Sequence, residues 1–246
     1  QMVPGNPFAA IQAPEPVADR DRVLSDAELA EVWRAAEGLG WPMGDFTRMA
    51  ILTMQRREEV AGMRWAELAP DLSTWTLPGE RAKNGKAHVI HLAPAARAIV
   101  KGAKRIKGSP FVFTTTGEAP VSGFSRAKAM LDAAIAKARQ EAGAELPEPA
   151  PWRLHDMRRT GVTRLAALGF APHVCDRLLN HVQGAIQGVA AIYQRHEFLP
   201  ERKAALEAWA KHVVALGKGK PEAGDKPGAS AEVVRLDGAR RRRQRA

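Results

Sequence analysis

Apolar residues recur at helical spacing through most of this 246-residue chain. They give way to a short alternating, β-branched pattern chiefly between Thr74 and Leu92. A chain with so small an interruption must bury its core between helices, because two short strands cannot form a layer of their own. The spacing predicts a mainly α chain with one small antiparallel β-sheet, an α+β arrangement. Ser25-Asp26-Ala27-Glu28 is a capping box, followed by Leu29, Val32, Trp33 and Ala36 on one helical face. Further helices are expected over residues 45–53, 58–64, 94–105, 122–142, 156–168, 172–180, 187–195 and 200–216. Strands are expected over 74–77 and 88–92, joined through the Asn84-Gly85 pair favoured in tight hairpins, with a further short strand over 111–113.

The ends read differently from the body. Residues 1–22 carry Pro4, Pro7, Pro14 and Pro16 without periodicity and are expected to form an extended arm. Residues 23–216 read as one domain, broken by Pro147, Pro149 and Pro151. Residues 217–246 hold nine Lys/Arg against four Asp/Glu and end near Arg240-Arg241-Arg242-Arg243, so the tail is expected to lack order in isolation. That tail supplies half of the formal charge of +10, and the body is moderately basic. A polyanionic partner fits this balance. Cys175 is the single cysteine, which excludes an internal disulfide and a cysteine-based metal site. No apolar run is long enough to span a membrane.

Tyr193 is the single tyrosine. Alone, it reads as a half-buried helical residue with its hydroxyl at the surface. Upstream, His155 and Arg158 are three apart and share a helical face, a pairing suited to a phosphodiester: the guanidinium fork meets two oxygens and the imidazole handles a proton. Arg56 lies in Gln55-Arg56-Arg57-Glu58-Glu59, and Lys83 adjoins the Asn84-Gly85 turn. Leu178-Leu179-Asn180-His181 precedes Tyr193. Glu59 is expected to orient basic groups. His88 and His91 point to opposite faces of a strand, against paired metal ligation. His173, His196 and His212 read as surface or packing residues, and Arg57 and Arg159 as facing away from Arg56 and Arg158. Trp33, Trp65, Trp75 and Trp209 are expected in the core, with Trp152 supporting His155.

Taken in order, Arg56, Lys83, His155-x-x-Arg158, His181 and Tyr193 resemble the tyrosine recombinases, or phage-type integrases, over roughly residues 27–212. The stretch around His181 and Tyr193, with Pro200-Glu201-Arg202-Lys203 after it, is similar to integrases of prophages and genomic islands. The resemblance implies the integrase catalytic-domain fold and site-specific DNA cleavage and rejoining through a 3′-phosphotyrosine at Tyr193, in the integration of a mobile element. It assigns Arg56 and Arg158 to a phosphate clamp, and His155 and His181 to proton transfer and phosphate hydrogen bonds. Lys83 is favoured as proton donor on motif position, with Lys86 close enough to compete. The resemblance implies no metal or other cofactor. It implies double-stranded DNA attachment sites as partner, a tetramer on DNA, accessory bending or directionality proteins, and a place beside the bacterial nucleoid in the cytoplasm. Family members commonly carry a DNA-binding domain ahead of the catalytic one, so the arm 1–22 is expected to issue from such a domain and the chain to be a fragment.

Two positions depart from the family pattern. Glycine is frequent where Met54 and Asn180 stand here, and altered packing is expected at both. Competing readings are a type IB topoisomerase-like relaxase, an inactive DNA-binding module descended from a recombinase, and a helical protein that binds nucleic acid only through its tail.

Overall fold

The structure is a computed structural model that describes residues 21–143, 150–181 and 197–219. Helix α1 (Asp26–Leu39) starts with the expected box. The Ser25 hydroxyl accepts from the Glu28 amide at 3.2 Å, and the Glu28 carboxylate accepts from the Ser25 amide at 2.8 Å. Its buried face, with Leu29, Val32, Trp33 and Ala36, packs on α2 (Met43–Thr53), α5 (Phe124–Glu141) and α8 (Leu199–Gly217). The remaining helices are α3 (Arg57–Ala61), α4 (Pro94–Gly102), α6 (Leu154–Ala167) and α7 (Pro172–Leu178). No helix among the described residues is long and apolar enough to cross a membrane.

Helix α8 fills the middle of the core. Leu206, Trp209 and Val213 are buried, and the Trp209 indole N–H donates to the Ile51 carbonyl of α2 at 2.8 Å. A buried indole without that acceptor would be costly, so the bond fixes α8 against α2 as well as burying it. The apolar face of this helix serves the chain's own core.

Strands β1 (Thr74–Leu77) and β2 (His88–His91) pair antiparallel, with Trp75 opposite Ile90 and Leu77 opposite His88. Those four face inward while Thr76 and Val89 are exposed, which is the two-residue alternation expected of a half-buried sheet. The connection is longer than the tight hairpin that Asn84-Gly85 suggested. A 3-10 turn over Gly79–Arg81 comes first. A turn closed by the Gly85 amide on the Ala82 carbonyl at 2.9 Å then places Lys83 and Asn84 at its centre and Gly85, at φ 71°, behind them.

Two other expectations are corrected. Residues 111–113 form no strand: Pro110 precedes them, and a turn in which the Thr114 hydroxyl accepts from the Gly117 amide follows at once. Phe111 forms an isolated antiparallel bridge to Arg64, flanked by the Trp65 amide on the Pro110 carbonyl and the Val112 amide on the Met63 carbonyl, both at 2.9 Å. Helix α3 ends at Ala61 instead of running to residue 64: the Arg81 guanidinium donates to the Glu59 carbonyl at 2.9 Å, and the Met63 amide, which a continuing helix would bond there, donates to the Val60 carbonyl at 3.1 Å.

His88 is buried beneath the sheet. Its Nε2 lies 3.0 Å from the Leu178 carbonyl and its Nδ1 3.2 Å from the Arg202 guanidinium, so the neutral ring donates from Nε2 and accepts at Nδ1. Burial, reinforced by the Arg202 charge, pushes its pKa from 6.5 down to about 3. As pH falls, the unfolded chain therefore takes up this proton first, and stability is lost between pH 6.5 and about 3. His88→Gln keeps a donor for the Leu178 carbonyl and removes the titration. Between pH 7 and 4.5 the variant is expected to lose about 2 kcal/mol less stability than the parent, read by urea unfolding at both values. Equal losses would show that His88 does not carry the acid slope.

Candidate active site

The site begins where two helices stop in left-handed residues. Helix α2 ends at Met54, φ 55°, whose amide donates back to the Ala50 carbonyl at 3.0 Å. The reversal sends Gln55 and Arg56 away from the helix axis. Arg56 is then held from below by Glu59 of α3. The buried carboxylate accepts from the Arg56 amide and from its guanidinium, both at 3.1 Å, and from the Lys83 amide at 3.3 Å. One carboxylate thus joins Arg56 to the loop that carries Lys83, the orienting role expected for Glu59.

Helix α7 ends in the same manner. Asn180, φ 52°, donates its amide to the Arg177 carbonyl at 3.1 Å, and the His181 amide donates to the Asp176 carbonyl at 3.0 Å. This pair of bonds is a Schellman motif, in which the left-handed residue is ordinarily glycine. The last carbonyls of α7, which have no partner inside the helix, are taken by side chains from elsewhere. Leu178 accepts from Gln55 and His88, each at 3.0 Å; Leu179 accepts from Arg158; Asn180 accepts from Asn84 at 2.7 Å.

Arg158, on α6, is 5% exposed and donates to the carbonyls of both Met54 and Leu179, thereby tying the two left-handed turns together. Burial, with the charge of Arg56 added, lowers its pKa to about 10, so it stays protonated at neutral pH. His155 lies one turn earlier on α6, and burial together with Arg158 lowers its pKa. His181 is lowered by burial and then by Arg158, against a contact with the Asp176 carboxylate at 3.3 Å. Both imidazoles therefore favour the neutral form, able to accept a proton.

A cleft of about 690 Å³ gathers Arg56, Lys83, His155 and Arg158 on its lining. Four of the six expected residues thus meet in one cavity, drawn from α2–α3, the β1–β2 loop and α6. His181 lies within the electrostatic reach of Arg56 and Arg158. Tyr193, with the helix expected over 187–195, lies outside the described residues, as do His196, residues 1–20 of the arm and the tail from residue 220. Lys86 is not on the cleft lining, whereas Lys83 is. Arg57 is there too, contrary to the expectation that it faces elsewhere: its guanidinium sits 4.6 Å from the Phe124 ring centre. Arg159 does face away, 4.0 Å from Asp156. Trp152 flanks His155 as expected, with the Lys128 ammonium 4.1 Å from its ring centre. Among the described residues, no group of three or more His, Cys, Asp or Glu is arranged to hold a metal ion.

Residues 22–198, most of the chain, match the Phage integrase family. The chain belongs to that family. Prophage integrase IntA of Escherichia coli (strain K12) is 29% identical over 170 residues, covering 69% of this chain and 38% of IntA. Prophage integrase IntZ of the same organism is 28% identical over 222 residues, covering 84% of this chain and 52% of IntZ. The chain therefore spans about half or less of these relatives. The fold is that of a lambda integrase tetramer bound to a Holliday junction (TM-score 0.51, 21% identity, 76% of this chain and 54% of that one). A lambda integrase dimer bound to a COC′ core site matches equally (TM-score 0.50, 21% identity, 80% and 54%). The mainly helical reading with one two-stranded antiparallel sheet thus holds.

The two departures from the integrase pattern now have a physical account: both fall on the left-handed turns, where glycine is free of the Cβ penalty. Met54 is accommodated by a second glycine. A Cβ on Gly161 of α6 would lie 2.1 Å from the Met54 sulfur, so the absence of a side chain there makes room for the buried thioether. Gly161→Ala is expected to destabilise by about 1–3 kcal/mol through overpacking. In a Met54→Gly background the same change should be neutral or stabilising, since alanine is about 0.8 kcal/mol better than glycine in a helix. A double-mutant cycle by chemical denaturation reads the coupling, and equal effects in both backgrounds would remove the contact as the cause.

Proposed function

We propose that this chain is the catalytic domain, residues 23–216, of a site-specific recombinase that cleaves and rejoins DNA during integration of a mobile element. The observation that carries the proposal is the meeting of Arg56, Lys83, His155 and Arg158 in one cleft of a phage-integrase fold. Two fixed guanidinium groups with neutral imidazoles close by are suited to a phosphodiester, whose non-bridging oxygens gain negative charge during displacement.

In the reaction, the Tyr193 phenol oxygen attacks the phosphorus, and its proton passes to His155 or His181. The bond from phosphorus to the 5′-oxygen breaks, and the Lys83 ammonium supplies the proton that the leaving oxygen needs. A 3′-phosphotyrosine and a free 5′-hydroxyl result. Rejoining reverses the sequence with a second DNA end, so the energy of the original ester is retained. Arg56 and Arg158 clamp the phosphate throughout. Arg158 spends two of its N–H groups on the Met54 and Leu179 carbonyls, which holds the rest of the fork in place before DNA arrives.

Double-stranded attachment-site DNA is the partner, with self-association into a tetramer and accessory bending or directionality proteins in the bacterial cytoplasm. The arm 1–22 then leads from a DNA-binding domain, and the basic tail 217–246 adds attraction to phosphates.

A nicked duplex carrying the sequence beside this chain's gene, incubated with protein and run on a denaturing gel, tests the reading. A covalent adduct is expected from the parent and none from Tyr193→Phe. Arg158→Lys is expected to slow adduct formation about a hundredfold or more, because lysine cannot present the fork. DNA binding without an adduct would favour an inactive binding module instead, and relaxation of supercoiled DNA with no sequence requirement a topoisomerase-like enzyme.

A further inference from the structure

Asn180 does more than cap α7. Its Nδ2 donates to the Asn84 Oδ1 at 3.2 Å and to the Lys86 carbonyl at 3.2 Å, while its own carbonyl accepts from the Asn84 Nδ2 at 2.7 Å. The Asn84 Oδ1 also accepts from the Lys86 amide at 3.0 Å. The four bonds fix both carboxamide orientations, since turning either one would set donor against donor or acceptor against acceptor. They clasp the β1–β2 loop on both sides of its Gly85 turn.

The clasp joins two segments that chain topology leaves far apart. Lys83 and Asn84 are the central residues of the Ala82–Gly85 turn, and the far side of that turn otherwise projects from the sheet. Lys83 itself is exposed, and its backbone is held by Glu59 through a single 3.3 Å bond. On the other side, Asn180 immediately precedes His181. Glycine would satisfy the left-handed backbone equally well and would offer no carboxamide. The asparagine therefore supplies something that the helix end does not require.

We infer that Asn180 is a positioning residue for proton delivery: its carboxamide docks the Lys83 loop onto the His181 turn and holds the ammonium in the cleft. The inference rests on the recombinase reading above. It carries a chemical signature, because an alkoxide leaving group needs a proton and a thiolate does not. A defect confined to proton delivery vanishes when the scissile 5′-oxygen is replaced by sulfur, whereas a defect in phosphate binding, in attack by Tyr193 or in folding persists.

The test compares the parent, Asn180→Gly, Asn84→Ala and Lys83→Ala on a nicked duplex with the sequence beside this chain's gene. One version carries an ordinary phosphodiester and the other a 5′-bridging phosphorothiolate. Asn180→Gly is expected to form adduct about ten- to a hundredfold more slowly than the parent on the phosphodiester. On the phosphorothiolate it should match the parent, with an unchanged melting temperature. Asn84→Ala, which removes the 2.7 Å bond to the Asn180 backbone carbonyl, should show the same pattern, and the double variant, which loses the Lys86 bond as well, should be at least as slow as either single one. Lys83→Ala should show the same pattern with a larger loss. Slowing of Asn180→Gly by the same factor on both substrates, or no slowing on either, overturns the inference while leaving the recombinase reading intact. A parent that forms no adduct on either substrate overturns that reading and this inference with it.

Discussion

Helix ends leave carbonyls that no helical amide can reach, and the arrangement of this domain depends on how those at the end of α7 are met. Leu178, Leu179 and Asn180 each accept from side chains that start elsewhere: Gln55 and His88, Arg158, and Asn84. Each bond is worth little alone, about 1 kcal/mol for a neutral pair and somewhat more for the guanidinium. Their importance is geometric. They pull the end of α2, the underside of the sheet, the middle of α6 and the β1–β2 loop onto one turn. The cleft is the space between the segments so gathered.

The cationic groups of this site are held by opposing means. Arg56 is partly exposed and leans on a buried carboxylate, whereas Arg158 is buried and bonded to neutral carbonyls. Burying a guanidinium without a carboxylate contact is unfavourable, as the depressed pKa of Arg158 records. The cost is tolerable because Glu59 sits within electrostatic reach and carbonyl dipoles satisfy the fork. A closer carboxylate would stabilise Arg158 more and would neutralise the positive field of the cleft. His88 extends the same logic away from the cleft: a neutral ring accepts from Arg202 and donates to Leu178, so no further charge is added there.

Much of this was legible in advance because local chemistry decided it. The Ser25 box, the 74–77 strand and the burial of Trp75 follow from residues near one another in the chain. Arg56, Lys83, His155 and Arg158, singled out by their order in the chain and its resemblance to the integrases, meet in one cleft. What escaped depends on contacts across the chain. The Asn84-Gly85 pair suggested a two-residue hairpin, yet Glu59 and Asn180 hold a longer loop in place. Residues 111–113 had strand composition but pair with residues 63–65 only through a single bridge. Arg57 joined the cleft because Phe124, far along the chain, offered its ring. His88, read only as pointing opposite to His91, became a structural hydrogen-bond relay, a role set by Leu178 and Arg202.

The interlocking of Met54 with Gly161 has a consequence for how such a chain can change over generations. Glycine at position 54 with alanine at 161 would be as well packed as the present pair, and easier on the backbone at 54. Neither single step toward it is free. Altering α6 first drives a methyl group into the buried sulfur, and altering the turn first empties the space the thioether filled. The two positions form a lock with two comfortable settings and an uncomfortable passage between them. Arg158, one helical turn from Gly161, donates to the Met54 carbonyl, so the seat of its guanidinium depends on which setting the pair holds.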